Sequence, residues 1–172
     1  VYLNPEVGGQ MALVEAAANI VSSGAEPLAI TDCLNYGDPN DPEIFWELHQ
    51  SVKGMAAACR IFDTPVISGN VSLYNENNGQ AIHPTPMVGM VGLVKNIDRV
   101  VPSFVQQAGD QVYLVGATRD DYAGSELQKM LTGKISGVVR PFDLDGVHTT
   151  MRHLLHAMEN GHVASCHDLS EG

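Results

Sequence analysis

Two polar clusters in this chain each follow a short apolar run: Thr31-Asp32-Cys33-Leu34-Asn35-Tyr36-Gly37 and Ser68-Gly69-Asn70-Val71-Ser72. Asp32 stands where an apolar run meets a polar loop, the end of a strand where α/β sheets favour ligands. A carboxylate there can hold Mg²⁺ or a ribose hydroxyl. Taken alone, it is more often a turn-forming Asp that caps its own loop. In the second cluster, Gly69 lets the backbone approach a phosphate closely. The side-chain oxygen of Asn70 is a hard ligand suited to Mg²⁺, and the Ser72 hydroxyl can hydrogen-bond a substrate oxygen. A tight Gly-Asn turn explains that cluster equally well by itself. The pair weighs more than either member, because two strands running parallel across an intervening helix would bring both clusters to one sheet edge.

Other candidates are weaker. Gly8-Gly9 before the first helix could receive an anion, but close packing of a loop explains the pair better. Cys166-His167-Asp168-Leu169-Ser170-Glu171-Gly172 contains His, Asp and Ser, yet adjacent residues cannot adopt triad geometry, which excludes a hydrolase. His148, His153 and His156 lie on or near one helix without a third ligand, so a solvated face is the better reading.

The elements that must position these residues follow from pattern. A helix is expected over 10–23, where Met11, Val14, Ala18 and Val21 recur at helical spacing and Glu15 is the only charge. Residues 27–32 read as a buried strand and 33–43 as a loop. A helix then begins at an Asn40 or Asp41 cap and carries Phe45, Leu48, Val52, Met55, Cys59 and Phe62 as its core stripe. Residues 65–68 form a second strand, Asn77-Asn78-Gly79 a hairpin turn, and 87–94 a further strand. The pattern changes near 105, where a domain boundary is placed. Beyond it are expected a strand at 111–115, helices near 124–132 and 147–160, and a strand at 163–167.

The chain's 172 residues carry 9 Lys+Arg against 20 Asp+Glu, a formal net charge of −11. So acidic a chain repels nucleic acid and anionic membranes. A phosphorylated ligand would have to be met by Mg²⁺ or by backbone N–H groups. Cys33, Cys59 and Cys166 are odd in number and form no CxxC, which fits a reducing cytoplasm better than a disulfide framework or a zinc site. No run is long or apolar enough to span a membrane.

In order, GGQMALVEAAANIVSSGAEPLAITDCLNYGDPNDPEIFWEL, PVISGNVSLYNE, PTPMVGMVGLV, GDQVYLVGAT, AGSELQKM and CHDLSEG resemble the synthetase subunit of the phosphoribosylformylglycinamidine synthase family over nearly the whole chain. TDCLNYG with SGNVSLYNE is specific to that family; HDLSEG is shared across a wider superfamily of ATP enzymes. The resemblance implies a mixed α/β (α+β) fold like that of aminoimidazole ribonucleotide synthetase. Residues 1–105 would be part of an N-domain, a mixed sheet with helices on one face, in the second of two similar halves. Residues 106–172 would start the matching C-domain.

It also implies an ATP-dependent carbon–nitrogen ligase of purine biosynthesis that converts formylglycinamide ribonucleotide to the amidine with ammonia from glutamine. By residue match, Asp32 and Gly69 contact ATP, Asn70 binds Mg²⁺ and Ser72 contacts the ribonucleotide. No catalytic residue is expected in this chain, because the family's catalytic histidines lie in an N-terminal motif not present here. The implied partners are the rest of the parent chain, a glutaminase subunit and a small bridging subunit. Nucleic acid and membrane are not among them.

The chain opens Val1-Tyr2-Leu3 without Met and stops at HDLSEG, where the family continues with another Gly. It therefore reads as a piece of a larger enzyme, inactive alone. The nearly chargeless helix 10–23 is expected to have lost its cover and to drive self-association. Two alternatives remain: another ATP-dependent member of the same superfamily, such as an aminoimidazole ribonucleotide synthetase, or a non-catalytic module holding a structural nucleotide.

Overall fold

The computed structural model describes residues 1–170; Glu171 and Gly172, the last two of HDLSEG, lie outside the described residues. The first helix, α1 (Pro5–Ser22), begins ahead of the expected Gln10. Asn4 caps it by accepting from the Val7 N–H at 3.2 Å, and Pro5 sits in the first turn, where its missing N–H costs nothing. Gly8 and Gly9 therefore lie inside the helix. They are buried, and a β-carbon on Gly9 would collide with the Ser51 carbonyl oxygen of the second helix.

That helix, α2 (Pro42–Phe62), is capped by Asp41, whose carboxylate accepts from the Glu43 N–H at 2.8 Å. Its buried face is Ser51, Gly54, Met55, Ala58 and Phe62. The expected stripe is thus partly corrected: Met55 and Phe62 are core and Leu48 and Cys59 half-buried, but Phe45 and Val52 are exposed. Small residues displace larger ones here because the helices meet backbone to backbone. A β-carbon on Gly54 would run into the Glu6 carbonyl oxygen.

Between the helices runs β1 (Glu26–Asn35), followed after α2 by β2 (Val66–Ser72). The two are parallel, as the β–helix–β connection requires, with Ile30 opposite Val66 and Asn35 opposite Ser72. A two-residue hairpin, β3 (Glu76–Asn77) and β4 (Gln80–Ala81), turns through Asn78 and Gly79, both at positive φ. This is the turn chemistry an Asn-Gly pair favours. The long strand β5 (Thr85–Leu93) then returns antiparallel to β1.

The sheet is mixed, in the order β2-β1-β5, with helices against one face. Leu13, Ala17, Ile30, Leu34, Tyr36, Met55, Ala58, Phe62 and Leu144 form the core, and Val88 and Met90 pack against it. By alternation, Met87, Val91 and Leu93 of β5 face away from the helices, and all three are exposed. Exposed apolar surface therefore lies on the sheet. α1 is instead covered by α2 and β5, and among its longer apolar side chains Met11 alone is exposed, which corrects the expectation that this helix is the sticky face.

Beyond a short 3-10 turn (Ile97–Arg99) come α3 (Glu126–Thr132) and α4 (Leu144–Glu159), capped by Ser125 and Asp143. Both helices were expected. The strands expected at 111–115 and 163–167 are absent among the described residues. Val112, Tyr113, Leu114 and Val115 are all exposed. β-pattern alone cannot hold a strand whose N–H and C=O groups find no neighbouring ladder.

Candidate functional site

The parallel pairing of β1 and β2 brings the two polar clusters to the same end of the sheet. In register, Asp32 lies opposite Gly69, Cys33 opposite Asn70, and Asn35 opposite Ser72; on its other side Asp32 lies opposite Val88. Side chains alternate along a strand, so paired positions share a face. Asp32, Gly69 and Val88 belong to the helix-covered face. Asn70, Ser72 and Met87 belong to the other, and Asn70 is exposed there. The four expected site residues thus form two pairs that meet at one edge from opposite faces.

Asp32 and Gly69 are locked together. A β-carbon at position 69 would collide with the Asp32 carboxylate Oδ1 and come within 2.8 Å of the Asp32 carbonyl oxygen. Glycine is required here by space, whatever else it contacts. Burial pushes the Asp32 carboxyl up from the ordinary carboxylate range. The Cys59 thiol on α2 is pushed up chiefly by burial, with a smaller contribution from the Asp32 charge.

Past the strand ends, the two exit loops are tied to each other. The Tyr36 N–H donates to the Ser72 carbonyl at 3.0 Å, the Tyr74 N–H to Gly37 at 2.9 Å, and the Asn75 N–H to Tyr36 at 3.1 Å. The Asn75 carboxamide Nδ2 donates again to the Tyr36 carbonyl (3.0 Å) and to the Ser72 carbonyl (2.8 Å). The ring of Tyr36 is fully buried, and its hydroxyl is hydrogen-bonded to the Ser51 hydroxyl of α2. Burial raises the Tyr36 pKa, against a smaller opposing effect of that bond. Sequence reasoning singled out neither Tyr36 nor Asn75 as a working part. Both stand in the quoted runs, NYG and YNE, but their importance is a matter of contacts between the loops, which no local pattern carries.

Among the described residues, no three His, Cys, Asp or Glu side chains are placed to hold a metal ion. A resident metal cage therefore does not fit them. Asn70 is exposed, and its carboxamide oxygen is a hard donor of the kind Mg²⁺ takes. A cavity of about 500 Å³ lies at the opposite end of β1, lined by Glu26, Lys95, Arg99, His148, Arg152 and Glu159 among others. Asp32 and Gly69 do not line it, and Lys95 is already paired with Glu26 (2.7 Å) and Glu159 (3.5 Å).

Residues 1–94 match the family described as AIR synthase related protein, N-terminal domain. Phosphoribosylformylglycinamidine synthase subunit PurL of Limosilactobacillus reuteri is 82% identical over all of this chain, which spans 23% of that relative's length. The corresponding subunit of Lactobacillus acidophilus is 66% identical over the same span and the same 23% share. Among solved structures, Thermotoga maritima PurL complexed with AMPPCP is 41% identical over 59% of this chain and 17% of that one, with a TM-score of 0.54. The same organism's PurL complexed with FGAR is 26% identical over 90% of this chain and 21% of that one, with a TM-score of 0.55. Thiamine monophosphate kinase of Aquifex aeolicus, 19% identical over 90% of this chain and 49% of that one, shares the fold at a TM-score of 0.58.

Proposed function

The chain belongs to the AIR synthase related protein N-terminal domain family, and from that premise we propose that it forms part of a phosphoribosylformylglycinamidine synthase. The reaction joins nitrogen to carbon at the cost of ATP. The amide oxygen of formylglycinamide ribonucleotide attacks the γ-phosphorus of ATP, and ADP leaves. Ammonia, released from glutamine, adds to the activated carbon; the C–O bond to phosphate breaks, inorganic phosphate departs, and an amidine remains. The 82% identity over the whole chain to a PurL subunit is the observation that carries this reading. Solved relatives described as complexed with ATP and with FGAR support both substrates.

In this reading Asp32 and Gly69 contact ATP, with Gly69 leaving the Asp32 carboxylate its space. Asn70 supplies one oxygen to the Mg²⁺ that screens the triphosphate, and Ser72 meets the ribonucleotide. This chain positions and binds; it supplies no general acid or base. Residues 1–105 act as the later part of an N-domain and 106–172 as the start of its C-domain. A Thermotoga maritima structure described as PurLQS supports a multi-subunit assembly, whose other members in this reading are a glutaminase and a small bridging subunit. In this reading the protein works in the cytoplasm, which the free Cys33, Cys59 and Cys166 support. Isolated from its neighbours, the chain self-associates through the exposed sheet face.

The test uses the whole protein that carries this chain, supplied with ammonia and formylglycinamide ribonucleotide, with ADP release as the readout. Asn70→Ala should raise the Mg·ATP concentration needed for half-maximal rate about tenfold, the effect of losing roughly 1.4 kcal/mol of binding. Unchanged Mg·ATP dependence removes the Asn70 assignment. No substrate-dependent ADP release in the parent protein removes the reaction.

A further inference from the structure

We propose that Asn75 is a positioning residue that orients the Ser72 hydroxyl, so that Ser72 meets the substrate as a hydrogen-bond acceptor. This rests on the reading of Ser72 as a ribonucleotide contact. The Asn75 carboxamide faces two backbone carbonyls, those of Tyr36 at 3.0 Å and Ser72 at 2.8 Å. Only its nitrogen can face both, because it has two protons and carbonyls have none to give. That fixes which end of the carboxamide is oxygen. The oxygen is then the end left for the Ser72 hydroxyl, which donates to Asn75 Oδ1 at 3.3 Å. Nδ2 also stands 3.2 Å from Ser72 Oγ, but both its protons are already spent on nearer carbonyls.

A serine has one proton. Once it is spent on Asn75, the hydroxyl has lone pairs to offer and nothing to donate. The group it selects on the substrate is therefore a donor, a ribose hydroxyl or a glycinamide N–H, in preference to a phosphate oxygen. Asn75 can hold this geometry because its own backbone N–H is anchored on the Tyr36 carbonyl at 3.1 Å and its carbonyl accepts from the Ile82 N–H at 3.1 Å.

Variants of the whole protein separate this from a merely structural role. Asn75→Ala frees the Ser72 proton, and the KM for the ribonucleotide should rise about tenfold while the KM for ATP stays within about twofold. A folding defect would instead lower the active fraction, and with it Vmax, without splitting the two KM values. Equal increases in the ribonucleotide KM and the ATP KM for Asn75→Ala would overturn the proposal. If Ser72→Ala leaves the ribonucleotide KM unchanged, the Ser72 reading itself fails. If Ser72→Ala raises it and Asn75→Ala does not, the positioning role alone fails. Ribose-deoxygenated and N-methylated glycinamide analogues identify the donor: one should bind the parent more weakly but Ser72→Ala no more weakly than the natural substrate. Equal losses with both proteins for both analogues would overturn the acceptor assignment.

Discussion

The Asp32 carboxylate fills the space that a β-carbon on Gly69 would need. Two residues far apart in sequence thereby fix each other's chemistry: the aspartate can lie flat on the next strand because its neighbour has no side chain. Gly69→Ala should lower stability by about 1–3 kcal/mol, the usual cost of overpacking, as read from the urea midpoint. Adding Asp32→Ala should restore part of that loss. If the double variant is no more stable than Gly69→Ala, the conflict is not with the carboxylate.

Asp32 should also leave a mark on the pH dependence of stability. Burial raises its native pKa above the unfolded value. Between those two values the native state holds more protons than the unfolded one, so stability falls as pH rises through that window. The contribution is fully present below the ordinary carboxylate pKa and lost above the native one. Asp32→Asn, which cannot ionise, should therefore gain Tm relative to the parent at neutral pH and lose that advantage in acid. An advantage of equal size at both ends would contradict it. The same variant should bind ATP more weakly if the proposed contact is right.

The α1–α2 contact predicts an inversion of the usual hydrophobic ranking. Gly54→Val drives a side chain into the Glu6 carbonyl and should cost about 1–3 kcal/mol or more. Val52→Ala, at a position 41% exposed, should cost less than about 0.5 kcal/mol although it removes apolar surface where Gly54→Val adds it. Chemical denaturation of both variants gives the comparison directly.

Much of this architecture was legible in the sequence, and its failures share a cause. α2 and the Asn-Gly hairpin follow from caps and turn residues, and β1 and β2 from apolar runs, which are local signals; both strands nevertheless continue past the expected ends at 32 and 68, through Asn35 and Ser72, because the two polar clusters pair with each other across the sheet. The parallel arrangement that joins the two polar clusters followed from the β–helix–β order. What was misread depends on partners. Gly8-Gly9 looks like a loop until a second helix lies against it. Phe45 and Val52 look like core until Ser51, Gly54 and Ala58 turn out to face inward. Val112 to Val115 look like a strand, but no ladder among the described residues receives them. Of the candidate site, the residue types and spacing of Asp32, Gly69, Asn70 and Ser72 are read from the sequence, whereas the division of those four between two faces needed the register.

Tyr36 offers a measure of the buried polar contact beneath the site. Ser51 already donates to the Leu48 carbonyl at 2.9 Å, so the tyrosine hydroxyl is the donor between them. Tyr36→Phe should cost about 1 kcal/mol, a typical net hydrogen bond, with no change in fold by circular dichroism. A neutral effect would mean that water or Ser51 alone satisfies the pair.

The exposed sheet face carries the expectation of self-association. Met87→Glu with Val91→Glu places two charges on it without touching the core side of β5, and should shift the isolated chain towards monomer in light scattering. An unchanged mass would place the contact elsewhere.

The alternation along β2 bears finally on what evolution can edit. Gly69 and Asn70 are neighbours that point to opposite faces. Deleting one residue between Val66 and Gly69 would exchange their faces and press a carboxamide into the space now held by the Asp32 carboxylate. Point changes at Ser68 or Val71, both exposed, leave that parity intact. The length of this run is therefore under tighter constraint than its spelling, and a library of single deletions should tolerate losses here far less than substitutions.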